Sequence, residues 1–317
     1  MSQKPLSKNN LFHPTPPTPW QQFLRHPSLF FAHWLYTHQS PLSTCSTPPS
    51  QRIKAVCISD THNTQPALPH GDILIHAGDL TINGTAPELQ DQLTWLDSLP
   101  YAYKLVVARN HDILLDAAYC ARSASQRLYG SPDATDHERL QLDWGSITYL
   151  QNESATLDIR GRMLRVYGAP LTPQYGNWAF QYPRHEDVWT FSIPQNTDIL
   201  ITHGPAKGHL DDGGKGCAHL NAEMWRVKPS LHICGHIHSA RGVETADWGW
   251  VRWGYDTIVR GEERWITELV MLGAWVAGWM VWGVSGRMER GVVGVNAAAK
   301  ERRQEGYGGM DGTVVEI

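Results

Sequence analysis

Five short apolar runs in this chain end alike, in polar side chains able to hold a metal ion. That repetition constrains the fold more than any other feature. The stretch "CISDTHN" places Asp60 and His62 after the first run, "IHAGDL" places Asp79 after the second, and "VVARNHD" places Asn110 and His111 after the third. "ILITHGP" places His203 after the fourth, and "HICGHIH" places His236 and His238 after the fifth. Short apolar runs bounded by Gly, Asn and Asp read as buried strands. In an open α/β sheet the loops leaving the carboxyl ends of the strands meet at one crevice. Asp60, His62, Asp79, Asn110, His203, His236 and His238 are therefore expected to converge.

The spacing between the runs agrees with that architecture. "IKAVCI", "DILIHA", the helical "PELQDQLTWLDSL" and then "KLVVA" alternate as in a parallel α/β core. Between 146 and 168, "SITYLQ", "ATLDI" and "MLRVYGA" read as three shorter strands in a meander, after which "DILITHGP", a helical "AHLNAEMWRV" and "SLHICGHIH" restore the first pattern. Residues 1–50, rich in Pro, Ser, Thr and His, are expected to be flexible, with one short helix around "FLRHPSLFFAHWLY" (23–36) docking on the body. Residues 51–317 are expected to form one domain that includes a Trp-rich apolar helical insertion near 265–287. The uncharged segment "LVMLGAWVAGWMVWGVSG" (269–286) puts Trp275, Trp279 and Trp282 on one helical face. It reads as a helix packed on the domain, as one lying in a membrane interface, or as a span near the ~20 residues that crossing requires.

Composition narrows the partners. With 41% hydrophobic and 18% charged residues the chain can bury a full core without staples. A net charge of -4 leaves no basic footprint, so nucleic acid is not expected as a stable partner, while small substrates derived from it stay open. Cys45, Cys57, Cys120, Cys217 and Cys234 form no CxxC pair, and Cys57 and Cys234 lie inside apolar runs. A reduced, cytoplasmic protein is expected, membrane-associated if 269–286 touches lipid. Met1 to Trp20 holds no uninterrupted apolar stretch of the signal-peptide kind. The lack of Asp or Glu before Asp60 is a faint transit-peptide trait that the few arginines oppose.

Mixed carboxylate and imidazole ligands suit Mn, Fe or Zn, and this set exceeds what one ion accepts. Two transition-metal ions are expected, with one carboxylate bridging. A pair roughly 3.5–4 Å apart clamps the attacking and leaving oxygens of a displacement at phosphorus. His236 and His238, at i and i+2 of an extended segment, point to one side, and each would serve a different ion. A lone Gly-Asp or DxH is usually a turn; the ordered set of five carries the reading.

Asp60 with His62 (DxH), Gly78-Asp79 (GD), Asn110-His111-Asp112 (the end of GNHD), His203 in "THGP" and Gly235-His236-Ile237-His238 (GHxH) together resemble the calcineurin-like metallophosphoesterase superfamily. "THGPAKGHLD" (202–211), "WAFQYPR" (178–184) and "VNAA" (295–298) resemble its branch of metallophosphoesterase-domain-containing proteins, small phosphodiesterases abundant in fungi. The likeness runs over about 53–317. It implies an α/β fold of two packed mixed β-sheets built on a βαβαβ core with flanking helices, in four layers. It implies one metal on Asp60, His62, Asp79 and His238, and another on Asp79, Asn110, His203 and His236, with Asp79 bridging. His111 would stabilise the transition state or protonate the leaving oxygen, or else hydrogen-bond within its loop. Asp112 would orient a neighbour or, in the plainer reading, cap the helix at "ILLDAAYC". The implied chemistry is hydrolysis of small, cyclic-nucleotide-type phosphodiesters by a metal-bridging hydroxide. No Ser or Cys stands in a nucleophile elbow or triad context.

Two departures bear on substrate and activity. "LTINGTAPE" after Gly78-Asp79 lacks the arginine of the GDxxDR element of protein Ser/Thr phosphatases, which argues against protein substrates. Tyr175, Asn177 and Trp178 in "PQYGNWAF" read as a stacking and hydrogen-bonding wall for a small substrate, or as loop packing. The second departure is Arg109, which stands where GNHD has glycine. Glycine at a strand exit permits φ > 0 or close backbone approach, so arginine there would strain the loop by about 1–3 kcal/mol and displace Asn110, leaving an impaired metal- or nucleotide-binding relative. Alternatively, its guanidinium pairs with substrate phosphate.

Overall fold

Strands buried on both faces form the centre of the larger of two compact units. This unit comprises Pro41–Gly249 with Ser285–Ile317, and the smaller comprises Met1–Ser40 with Trp250–Val284. The computed structural model describes residues 18–39, 51–122, 136–262, 265–282, 291–299 and 312–317. In the larger unit, β1 (Lys54–Ile58), β2 (Ile73–His76), β3 (Tyr103–Val106) and β4 (Ile147–Tyr149) run parallel, and β13 (Thr313–Glu316) joins β1 antiparallel, in the order β13-β1-β2-β3-β4. A second sheet has the order β11-β12-β10-β9-β6-β5. Its parallel centre is β12 (Gly291–Asn296), β10 (Leu231–Cys234), β9 (Ile199–Thr202) and β6 (Arg162–Ala169). Antiparallel β11 (Gly242–Asp247) and β5 (Glu153–Ile159) close its edges. A short parallel pair, β7 (Thr172–Pro173) and β8 (Gln181–Tyr182), stands apart.

Alternation along the strands packs the two sheets face to face. Ala55, Cys57, Ile73, Ile75 and Leu105 of the first meet Val166, Ile199, Ile201, Leu231 and Ile233 of the second in one core. The intervening residues face outward: Val56, Leu74 and Val106 lie under Leu93 and Leu96 of α3 (Ala86–Ser98), and Leu200 lies under Leu220 and Met224 of α6 (Ala218–Val227). The result is a mixed α/β fold of two sheets flanked by helices, as the resemblance implied. One expectation is corrected. The three strands between 146 and 168 are not a single meander, because β4 pairs parallel with β3 while β5 and β6 form a hairpin in the other sheet. The short segment between β4 and β5 crosses between sheets, and Leu150 within it is buried in the shared core.

The smaller unit is helical: α1 (Pro19–Arg25), α2 (Pro27–Thr37), α7 (Trp250–Arg260) and α8 (Trp265–Trp282). Two helices stand where one was expected around 23–36, since Pro27 lacks an N–H to continue α1 and instead opens α2 at a favourable first position. Ala32, Leu35, Val251, Tyr255, Ile258 and Met271 form its core. The apolar helix begins at Trp265, and the indole N–H of Trp275 donates to the His38 carbonyl at 3.1 Å. Residues 283–286 of the anticipated helical segment, Cys45, and most of the N-terminal segment (1–17 and 40–50) lie outside the described residues. Among the described residues, no helix is long and apolar enough to cross a membrane.

Candidate metal centre

The loops leaving β1, β2, β9 and β10 bring five of the predicted ligands, Asp60, His62, Asp79, His203 and His238, together, with unusual backbone conformations among them. Asp60, His62, Asp79 and His236 have φ of 58°, 45°, 58° and 71°. Such left-handed residues cost about 1–3 kcal/mol each and persist only where the surroundings over-determine them. Here the determinants are visible. Asp60 N–H donates to the Gly78 carbonyl (2.8 Å) and His62 N–H to that of Asp79 (3.1 Å), so the first two loops brace each other. Gly78, at φ 100°, has no room for a side chain, because a Cβ would stand 2.6 Å from His203 Nδ1 and 2.8 Å from Arg109 Cβ. The buried Asp112 carboxylate accepts from the backbone N–H groups of Asp79 (3.1 Å), Thr81 (3.0 Å) and Arg109 (3.0 Å) and from the Thr81 hydroxyl (2.9 Å). Asp112 makes no helix-capping bond to the 3₁₀ turn that follows it, so the plainer reading is corrected: it fastens the second and third loops together.

Among the described residues, three groups each bring their ligand atoms within 4.8 Å of one another: Asp60, His62 and His238; His62, Asp79 and His111; and Asp60, Asp79 and His203. Together they form a candidate dinuclear metal site. The imidazoles are set up as ligands by their other nitrogens. His62 Nδ1–H is held by the Thr81 carbonyl (3.1 Å), which directs Nε2 toward Asp79 Oδ2 at 3.7 Å. His203 Nδ1–H is held by the Ala77 carbonyl, with Nε2 3.8 Å from Asp60 Oδ1. A histidine fixed through one nitrogen presents a lone pair on the other. Burial pushes His203 down to about 3, so its imidazole is neutral. Burial raises the cost of ionising Asp60, yet its net direction is downward, because the charge of His203 at the low pH where both are protonated, the hydrogen bond from His238 (3.2 Å) and Arg109 favour the carboxylate. Among the described residues, His203 Nε2 and both amide atoms of Asn110 are buried with no hydrogen-bond partner. Orphans of this kind are costly, and a metal ion is the ligand that suits an imidazole nitrogen, an amide oxygen and two carboxylates together.

The GHxH segment is not extended. His236 is left-handed and His238 opens a 3₁₀ turn, so the two rings part. His238 lies by Asp60 and 6.0 Å from the His62 ring, while His236 lies 5.5 Å from the His203 ring and 4.8 Å from that of Tyr175. The two rings thus face different surroundings, through backbone twist and not through strand geometry.

Arg109 departs from what its position suggested. It is absent from the positive-φ residues, so no backbone strain follows from the missing glycine. Its effect comes through the side chain, which is 3% exposed and enters the centre. Nη1 donates to Asp79 Oδ2 at 2.5 Å and stands 3.8 Å from Asp60 Oδ1. Nη2 contacts His236 Nδ1 and donates to the Tyr175 hydroxyl at 3.1 Å. Around this centre, His111 gives its Nδ1–H to the Ile82 carbonyl (2.7 Å), and its ring lies 4.6 Å from that of Trp178. The Asn177 amide oxygen accepts from Arg122 (3.3 Å). On the sequence, orienting a neighbour was the less plain of the two readings of Asp112, and the Thr81 carbonyl was missed as the partner of His62. Only the three-residue spacing of Asp112 from Arg109, typical of a local side-chain-to-backbone bond, hinted at the first.

A model of the calcineurin-like phosphoesterase family matches residues 53–240. The chain is 42% identical over 283 residues to a probable rhamnogalacturonate lyase C of Emericella nidulans, an alignment covering 88% of this chain and 26% of that protein. It is 39% identical over 219 residues to metallophosphoesterase domain-containing protein 1 of Homo sapiens, covering 64% of this chain and 66% of the other. It thus spans about a quarter of the first relative, 26%, and just under two thirds of the second, 66%. Among solved structures, a phosphopantetheinyl hydrolase from Mycobacterium tuberculosis aligns over 82% of this chain and 95% of its own, at 13% identity and a TM-score of 0.45.

Proposed function

The chain belongs to the calcineurin-like phosphoesterase family, and from that premise we propose that it hydrolyses small, nucleotide-type phosphodiesters in a metal-dependent reaction. One observation carries the reading. Candidate ligands from both sheets converge around the buried His203 Nε2, which has no hydrogen-bond partner among the described residues. Asp60, His62 and His238 would hold one cation, Asn110, His203 and His236 the other, and Asp79 would bridge. Bound Mn, Fe or Zn supplies Lewis-acid stabilisation of charge developing on the phosphoryl oxygens. His111, with its Nδ1–H held by the Ile82 carbonyl, would, when Nε2 is protonated as well, pass that second proton to the leaving oxygen and be left as neutral imidazole. Tyr175 and Trp178 would flank the substrate, with Arg109 and Asn177 as its polar contacts. This reading places the chain among the small phosphodiesterases of the fungal branch.

The test is hydrolysis of a chromogenic phosphodiester and of the matching monoester by metal-reconstituted protein. The diester should be turned over, chelator should stop it, and His111→Asn should slow it by about 10²-fold. Metal binding with no diester hydrolysis would support the second reading, an impaired relative that binds without turnover. The guanidinium lodged among the ligands favours that reading.

A further proposal concerns 269–286, whose described part carries the exposed Leu269, Leu272 and Met280, with Trp265 and Ile266 exposed just before it. This face suits peripheral contact with lipid. Full-length protein should then sediment with anionic vesicles, and Leu269→Glu with Leu272→Glu should release it. Wild-type protein that stays in the supernatant excludes the contact.

A further inference from the structure

We propose that Arg109 is a built-in cation of this centre: its guanidinium fills one of the two cation positions, so the chain takes a single exchangeable metal ion, on Asp60, His62 and His238. The inference rests on the phosphoesterase reading for the identity of the ligands.

The contacts of Arg109 decide which position is filled. Its terminal nitrogens engage Asp79 Oδ2 at 2.5 Å and His236 Nδ1, the bridging ligand and a ligand of the second ion. The guanidinium lies against His236 Nδ1, and among the described residues His236 belongs to none of the three groups of converging ligand atoms. Two of those groups run through Asp79, the carboxylate that Arg109 holds; Asp60, His62 and His238 form the one that does not. The guanidinium is fixed from behind as well. The Tyr175 hydroxyl accepts from Nη2 at 3.1 Å, the Tyr175 ring lies 5.6 Å from Cζ, and the Arg109 N–H is tied to Asp112 at 3.0 Å. Guanidinium keeps its charge at any working pH and is planar, so it can neutralise a carboxylate and face another acceptor at once. A second divalent ion would have to enter beside it in a buried site, where like charges are poorly screened.

Metal content separates the possibilities without reference to activity. Stripped protein is reconstituted with excess Mn²⁺ or Zn²⁺, desalted and analysed for metal per chain. Wild type should hold one equivalent, and Arg109→Gly and Arg109→Gln should hold two, the second bound at least tenfold more tightly than by wild type. Arg109→Gln keeps a side chain in the cavity and carries the test if Arg109→Gly does not fold. Two equivalents in wild type, or one in all three proteins, overturns the proposal. Two in wild type with diester hydrolysis leaves the functional reading standing alone. The expected pattern of metal content with no diester hydrolysis in any of the three leaves this proposal standing and sinks that reading. No metal in any protein overturns both.

Discussion

At the scale of single residues, the centre depends on side chains whose hydrogen bonds admit only one protonation state. His76 ends β2 just before Gly78-Asp79 and is buried. Its Nδ1 accepts the Gly78 N–H at 3.2 Å, so its Nε2–H donates to Thr61 Oγ1 at 2.9 Å, and the bond from Gly78 requires neutral imidazole. Burial accordingly lowers its pKa from 6.5 to about 4. Above 6.5 the folded and unfolded chains are both neutral here and stability is unaffected. As pH falls from there toward 4 the unfolded chain takes up the proton first, so stability drops, by about 3 kcal/mol in full. Urea midpoints of metal-free protein should therefore fall between pH 7 and pH 4.5, and should fall measurably less in His76→Gln. Equal slopes would remove His76 from the account. The histidines that end strands were legible as a class, but nothing in "DILIHAGD" marks His76 as a brace and Asp79 as a ligand. Burial and partners make that distinction.

At the scale of elements, the critical contact is between the ends of β1 and β10, which lie in different sheets. A Cβ at Gly235 would collide with the Ser59 hydroxyl and with Asp60 Oδ2. Gly235 thus lets the loop after β10 seat against the loop after β1, and the His236 N–H then donates to Asp60 Oδ2 at 3.0 Å. Gly235→Ala should leave the far-ultraviolet circular dichroism near wild type, because the strand itself is untouched, while weakening metal binding at least tenfold by displacing Asp60. Unchanged affinity in a metal titration would show that the two loops can separate without harm. The helices α3 and α6 were readable from periodicity, and in the structure α3 opens on a capping box of Thr85 and Glu88. The sheet membership of β4 was not, since a short apolar strand carries no mark of its neighbour, and pairing is settled by which core buries it.

At the scale of the larger unit, the candidate ligands follow strands of both sheets, so a bound ion would tie together layers otherwise joined by apolar packing. Ligand binding confined to the native state stabilises it by about 2.7 kcal/mol at a free concentration of 100 Kd. Thermal unfolding of the reconstituted protein should therefore begin several degrees higher than after chelation, by about 2–4 °C per kcal/mol for a body of this size. Asp60→Asn should erase most of that difference. A midpoint indifferent to chelator in wild type would mean that the ion does not couple the sheets.

The sequence alone determined the strand ends, the ligand types and their order, because apolar runs force burial and each polar residue just past a run must leave the sheet at its carboxyl edge. From these the α/β fold and the family followed. Only the tertiary structure decided that Arg109 reaches into the centre while its backbone stays ordinary, that Asp112 fastens two loops, and that His236 and His238 diverge. It also decided that β11, β12 and β13 complete the sheets from late in the chain. These outcomes depend on packing between segments far apart in sequence: the direction of a side chain is set by the space its neighbours leave, and no local pattern of residues records that space.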